Sequence, residues 1–259
     1  MRLRIVMLAV VAAGVLVGGA IGFGVRSGPS PVSGQAALGV APAGGAQLVG
    51  TWVPAKPKPK HPSSFTVADA KGPSVDLYSA PDVPLRTMQN PTWEGLAVVF
   101  LVLERKGDWL HVRVSSRPNS MTAWIRTSQV SLRTVPNWVR IEIAAKRATV
   151  YNADTPLFST VVATGRSSAP TPVGSFFVDG VVLLSDTSGP YGVAQVSVSG
   201  FSDVYQSFGG GTGQIAMHGT NNPALLGQGV SNGCVRMAND SILAMVRLAP
   251  TGTPVEIVP

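Results

Sequence analysis

The sequence predicts a mainly β protein with one short helix, and three observations carry that expectation. Apolar residues make up 45% of the 259-residue chain and charged residues 13%, with 29 Gly and 21 Pro, the composition of a globular chain with many turns. Short runs that alternate apolar and polar residues recur from Phe65 onward, which is the period of half-buried strands. Only NDSILAMVRLA shows a helical apolar face, with Ile242, Leu243 and Val246 on one side and Asn239 expected as the cap.

Taken in chain order, the first element is an uncharged run from Ile5 to Val25, closed by Arg26. It reaches the roughly 20 residues that a membrane-spanning helix needs. Residues 1–26 are therefore expected to be a membrane anchor or a signal sequence. Arg2 and Arg4 would hold the amino end in the cytoplasm and place everything after Arg26 outside. No cysteine follows the apolar run, which excludes lipid attachment there. Residues 27–64 are rich in Gly, Pro, Ala and Ser and end in KPKPKHP. Such a segment buries too little apolar surface to fold and reads as a linker that could span up to about 120 Å when extended.

Residues 65–134 carry VDLYSAP, LAVVFLVLERKGDWLHVRV and TAWIRTSQVSL, expected to form a small all-β barrel. KGD is a hairpin turn candidate because alternation continues on both sides of it. Trp109, His111 and Arg113 fall on one face, and Leu110, Val112 and Val114 on the other. His111 therefore reads as a surface or packing histidine. After a short connector around Pro136, residues 137–259 form a second β-rich unit through IEIAA, ATVY, FSTVVATG, GSFFVDGVVLL, AQVSVSGF and QIAMHG. The helix follows, and TPVEIV closes the unit as a strand.

The net charge of +7 raises nucleic acid as a partner, but the cations argue against it. Lys56, Lys58 and Lys60 alternate with prolines, and the others are scattered rather than clustered with aromatics. For an exported chain, anionic wall polymers or lipid headgroups are the fitting electrostatic neighbours, and a solvated linker accounts for the same charges.

Cys234 is the only cysteine, so no internal disulfide can form. A lone thiol is either a small buried residue or a nucleophile, which needs a nearby base to raise its thiolate fraction. His218 is the one histidine in the second unit and supplies the candidate base. Gly233 precedes the thiol, which allows close approach of substrate to the backbone, and N–H groups at such a turn can stabilise an oxyanion. One Cys and one His fall short of the ligands that a zinc site needs, so no metal is expected. GGGTGQ, from Gly209 to Gln214, lacks the Gly-Lys-Ser/Thr ending of a phosphate loop and reads as a flexible loop beside the site. Spacing alone leaves the buried and the nucleophilic readings of Cys234 open.

Two motifs resolve that choice by resemblance. HGT, an intervening stretch and SNGCVRM resemble the signature of L,D-transpeptidases of the YkuD type, exported enzymes that cross-link peptidoglycan with a cysteine nucleophile. Upstream, VVATGRSSAPTPVGSFFV is similar to the family's pattern of a strand ending in Thr-Gly followed by Thr-Pro-x-Gly-x-Phe, here Thr164, Gly165, Thr171, Pro172, Gly174 and Phe176. The likeness covers roughly Trp138 to Val258. Separately, GDWLHV and TAWIRTSQV resemble the late strands of bacterial SH3-like domains.

The family resemblance implies Cys234 as nucleophile and His218 as its base, with Gly233 and Cys234 donating N–H groups to the oxyanion. Ser231 and Arg236 occupy motif positions that shape the pocket, and Arg236 would meet a substrate carboxylate or brace the loop. Tyr191 and Asn222 are weaker candidates for lining the cleft. Many members carry histidine where this chain has Asn232, so the base role falls on His218 alone. Gly219 has no side chain to orient the imidazole, which leaves a backbone carbonyl as its expected partner. The implied reaction attacks the carbonyl of the third residue of a peptidoglycan stem tetrapeptide, releases D-alanine, and passes the acyl group to the side-chain amine of another stem as a 3→3 cross-link. It needs no cofactor. The expected location is extracytoplasmic, at the cell wall, either membrane-anchored or secreted. Two alternatives share these residues: an L,D-carboxypeptidase in which water resolves the thioester, and a non-catalytic wall-binding protein.

Overall fold

The computed structural model describes residues 61–259 apart from Gly209. The proposed anchor or signal sequence and nearly all of the proposed linker lie outside the described residues. Among the described residues no helix is long and apolar enough to cross a membrane.

The chain is mainly β, as expected, and it builds two large sheets. The first contains β1 (Phe65–Ala70), β2 (Ser74–Ala80), β3 (Val83–Gln89), β4 (Val99–Lys106), β5 (Trp109–Arg113), β6 (Thr122–Arg126) and β7 (Val130–Val135). These pair in the order β3-β2-β6-β5-β4-β1-β7, and every pairing is antiparallel. Among the described residues β3 and β7 are the ends of the order, with no backbone pairing between them. The KGD turn joins β4 to β5, with Gly107 at φ 58°, a left-handed position that glycine adopts without a Cβ clash. Alternation along β5 sorts its side chains as read: Leu110 and Val112 are fully buried, while His111 stacks on Trp124 at 4.9 Å between centroids.

Pro136 alone separates β7 from the second sheet. That sheet contains β8 (Asn137–Glu142), β9 (Arg147–Asn152), β10 (Thr155–Val161), β12 (Gly174–Leu183), β13 (Ala194–Phe201), β14 (Gln214–His218), β16 (Val235–Arg236) and β17 (Pro254–Val258). The order is β10-β9-β8-β17-β12-β13-β14-β16. Two short strands, β11 (Thr164–Gly165) and β15 (Gly229–Ser231), form a parallel pair of their own. The single α-helix α1 (Asn239–Leu248) packs on β13 and β14. Ile242 and Met245 enter the core there beside Ile215, Met217, Phe176 and Val196. Burying each such side chain contributes about 1.5–3 kcal/mol.

The two sheets share a third apolar cluster in which Phe177 of β12 packs against Val67, Val99, Leu101 and Val135 of the first sheet. Polar contacts reinforce it. Arg133 pairs with Asp69 at 2.7 Å and also donates to the Thr251 carbonyl at 2.9 Å.

Three local expectations are corrected. His61, assigned to the linker, already stacks on Trp138 of β8 at 3.8 Å between centroids, so packing begins before Phe65. QIAMH does not alternate: Ile215, Ala216, Met217 and His218 are all buried, because α1 covers the strand as well. Asn239 does not cap α1. Ala238 is the cap residue, without a side-chain cap bond, and Asn239 Oδ1 instead accepts the Thr220 N–H at 3.2 Å.

Candidate active site

β14 and β16 run parallel, with Met217 opposite Val235 and His218 opposite Arg236. Continuing that register sets Cys234 beside Ala216, two residues before His218 and on the same face of the sheet, since side chains alternate along a strand. The parallel pairing thus brings thiol and imidazole to one edge from positions sixteen residues apart in sequence. Cys234 lies directly before β16 rather than in a turn leading into the helix.

The ring of His218 is held by its neighbour. Nδ1 lies 2.6 Å from the Gly219 carbonyl oxygen. A carbonyl only accepts, so Nδ1 carries the proton and Nε2 presents its lone pair. The backbone carbonyl expected to replace a side-chain partner is therefore present, on Gly219 itself. A Cβ at Gly219 would collide with Asn239 Oδ1, so the missing side chain also lets α1 close over the His218 loop. Tyr191 lies against the imidazole, 4.6 Å between centroids with planes at 51°.

Electrostatics favour the neutral forms. His218 is 3% exposed, and burial lowers its pKa from 6.5 to about 4, with a smaller push from Arg236 against the opposing Gly219 bond. Burial pushes the Cys234 thiol up, while the Ala216 backbone and Arg236 pull it partly back. Cys234 keeps some exposure, which tempers the upward push. Tyr191 is also raised, first by burial and then by Cys234. Both shifts favour a neutral thiol and a neutral imidazole at rest, and no hydrogen bond joins the two in this structure.

The loop carrying Cys234 is braced from within. Ser231 Oγ donates to the Cys234 carbonyl at 2.5 Å and accepts the Gly233 N–H at 3.1 Å. Gly233 sits at φ +117°, a conformation that side chains rarely adopt. Its N–H is engaged by Ser231, so Gly233 is not the free oxyanion donor that the motif suggested. The upstream motif braces the same loop from outside. β11 pairs with β15, Gly165 opposite Ser231, and Arg166 N–H donates to the Ser231 carbonyl at 3.0 Å. Ala163 and Arg236 exchange two backbone bonds at 2.9 Å. The Thr171 hydroxyl accepts the Gly165 N–H at 2.8 Å. The two motifs, distant in sequence, form one support.

The remaining candidates divide. Arg236 faces the site with its Nε buried and unpartnered. Asn232 likewise leaves Oδ1 buried without a partner, and it lines a narrow cavity with Cys234, Tyr205, Phe208 and Gln214. Asn222 is exposed and is not among the residues lining that cavity. Sequence reasoning missed Tyr205 and Phe208, which sit in a segment without strand or helix periodicity. The glycine-rich loop beside the site does reach it through Gly213 and Gln214.

This arrangement defines a thiol–imidazole site suited to acyl transfer. The family model for the L,D-transpeptidase catalytic domain, YkuD, matches residues 136–257. The YkuD protein of Bacillus subtilis is 32% identical over 124 residues, which cover 48% of this chain and 67% of that protein. Its counterpart in Bacillus licheniformis is 31% identical over 126 residues, covering 49% and 68%. Among solved structures, Bd1075 of Bdellovibrio bacteriovorus is 18% identical with a TM-score of 0.38, over 48% of this chain and 47% of that one. The match therefore spans about half the length of that last protein. The chain belongs to the YkuD family of L,D-transpeptidase catalytic domains.

Proposed function

We propose that the chain is a peptidoglycan L,D-transpeptidase that forms 3→3 cross-links through a thioester on Cys234. The observation that supports this most is the fixed tautomer of His218, which leaves Nε2 a free lone pair on the strand whose parallel register with β16 runs to Cys234. In the first half-reaction the Sγ–H proton passes to His218 Nε2 as sulfur attacks the carbonyl carbon of the third stem residue. The tetrahedral oxyanion takes the Cys234 N–H. Gly233 would join it only by giving up Ser231. Collapse breaks the amide bond, and the imidazolium returns the proton to the departing D-alanine amine. In the second half-reaction the amine of another stem attacks the thioester, Nε2 takes its proton, and collapse restores the thiol. Two acyl transfers of moderate barrier replace one difficult amide exchange.

Tyr205 and Phe208 crowd the thiol, so they move aside to admit a peptide. Arg236 offers its unpartnered Nε–H to a substrate carboxylate. The seven-stranded sheet serves as an SH3-like positioning or wall-binding module, a reading that rests on GDWLHV forming β5 after its hairpin turn and TAWIR forming β6. Residues 1–26 direct the protein out of the cytoplasm, either as an anchor that keeps it at the membrane or as a signal sequence that leaves it secreted.

The test supplies a stem tetrapeptide as donor with and without a second stem as acceptor, followed by mass analysis of products. A cross-linked dimer accompanied by released D-alanine is expected. Tripeptide alone, with acceptor present, would make the protein a carboxypeptidase instead.

A further inference from the structure

A second cavity, of about 380 Å³, opens where the first sheet meets the second. Trp93 and Glu94 from the β3–β4 connection and Ser115 and Arg117 from the β5–β6 connection form one side, and Asp179 of β12 and Gln214 of β14 the other. It adjoins the thiol site, because Gln214 lines both cavities.

Its polar wall is unbalanced. Asp179 Oδ2 accepts from the Ser115 hydroxyl and from Gln214 Nε2, but Oδ1 is buried with no partner at all. Gln214 Nε2 also donates to the Val198 carbonyl at 3.0 Å, so two acceptors fix which end of that amide faces Asp179. Glu94 is close enough to raise the cost of ionising beside Asp179. The cation that lines the cavity does not answer these carboxyls. Arg117 donates to the carbonyls of Ser202, Tyr205 and Thr212 at 2.8, 2.8 and 3.2 Å and lies over the Phe201 ring. Burial without a counter-charge pushes Asp179 up to about 6 and raises Glu94 as well.

We propose that this cavity is a second binding site, taking a primary alkylammonium group carried on a peptide side chain. The ammonium donates to Asp179 Oδ1 and Glu94, supplying the missing partner and the missing charge. Its methylene chain lies along Met88, Pro91 and Leu96. Trp93, 56% exposed, offers an indole face at which a cation is attracted. A hard metal ion fits poorly. Calcium takes 6–8 oxygen ligands, whereas Gln214 and Ser115 turn donors toward Asp179, and among the described residues no group of three or more acid, His or Cys ligands occurs. The natural source, a diamino-acid residue of a peptidoglycan stem, rests on the function proposed above, whereas the chemistry of the pocket does not.

The test is calorimetric titration of the full-length chain carrying Cys234→Ala with Nα-acetyl-L-lysine methylamide, against its Nε-acetylated form. Saturable binding of the amine, weakened at least tenfold by Nε-acetylation or by Asp179→Asn, and several-fold by Glu94→Gln and Trp93→Ala, is expected. Equal binding of the two ligands, no binding to folded protein, or indifference to Asp179→Asn would overturn the proposal. Should Asp179→Asn fail to fold, the Glu94→Gln and Trp93→Ala variants decide. Because the readout is binding to a protein without its thiol, failure here leaves the acyl-transfer reading standing, and failure of acyl transfer leaves this site standing.

Discussion

The two ends of β14 bury ionisable groups in opposite ways. At its carboxyl end, His218 is enclosed with its one donor satisfied by Gly219, which leaves Nε2 its lone pair. At its amino end, Gln214 holds Asp179, one oxygen of which has no partner. Burial drives both groups neutral, but neutrality lies above the pKa for imidazole and below it for a carboxyl, so the shifts have opposite sign. At one end the buried imidazole has its donor partnered. At the other a buried carboxyl oxygen has no partner, which the proposed ammonium would supply.

The largest effect separating the ends belongs to catalysis. Replacing His218 by Gln keeps much of the shape and removes the base, so the rate of Cys234 acylation by a stem tetrapeptide falls by about 10²- to 10⁴-fold, measured by stopped mass sampling. Asp179→Asn keeps the base, so its loss of acylation rate stays well below that of His218→Gln and lies in stem binding rather than in the chemical step. A comparable loss in both variants would dissolve the distinction.

Stability against pH sharpens it. His218 has a folded pKa of about 4 against 6.5 unfolded, so the unfolded chain binds the extra proton in that window. Stability is present above pH 6.5 and falls as pH drops toward 4, by about 3 kcal/mol. Asp179 has a folded pKa of about 6 against 3.8 unfolded. Its neutral form contributes stability below pH 3.8 that is lost as pH rises through 6, by about 2 kcal/mol once its partial exposure is allowed for. Urea unfolding across pH 4 to 8 is expected to lose the acid-side fall in His218→Gln and the opposite trend in Asp179→Asn. Unchanged slopes in either variant would contradict the stated cause.

A smaller effect tests the brace. Ser231→Ala removes two bonds, the one it donates to the Cys234 carbonyl and the one it accepts from the Gly233 N–H, costing about 1–3 kcal/mol by the usual penalty for an unsatisfied buried group. Thermal unfolding reads that loss. A freed Gly233 amide that raised the acylation rate would mean that Ser231 restrains the oxyanion hole rather than positioning the thiol.

Much of this was legible locally. The KGD hairpin, the break between strands at Pro136 and the helix from Asn239 follow from turn chemistry and periodicity, and the HGT and SNGCVRM motifs singled out the strand that ends in His218 and the one that follows Cys234, which pair in parallel. What escaped reading is nonlocal. Asn239 carries a strong capping signal, yet the Thr220 amide claims its oxygen, a partner that only the folded loop supplies. QIAMH reads as a half-buried strand because nothing local announces the helix that covers it. Asp179, within FFVDGVV, looks like any polar residue on a strand, and its cavity exists only where two sheets meet.

The central claim, that Cys234 becomes acylated by a stem peptide with His218 as base, is tested most directly by intact-protein mass spectrometry after mixing the full-length chain with stem tetrapeptide. An adduct equal to the stem minus D-alanine, absent in Cys234→Ala and slow to appear in His218→Gln, is the predicted result. Folded protein of unchanged mass, with no D-alanine released, would contradict it.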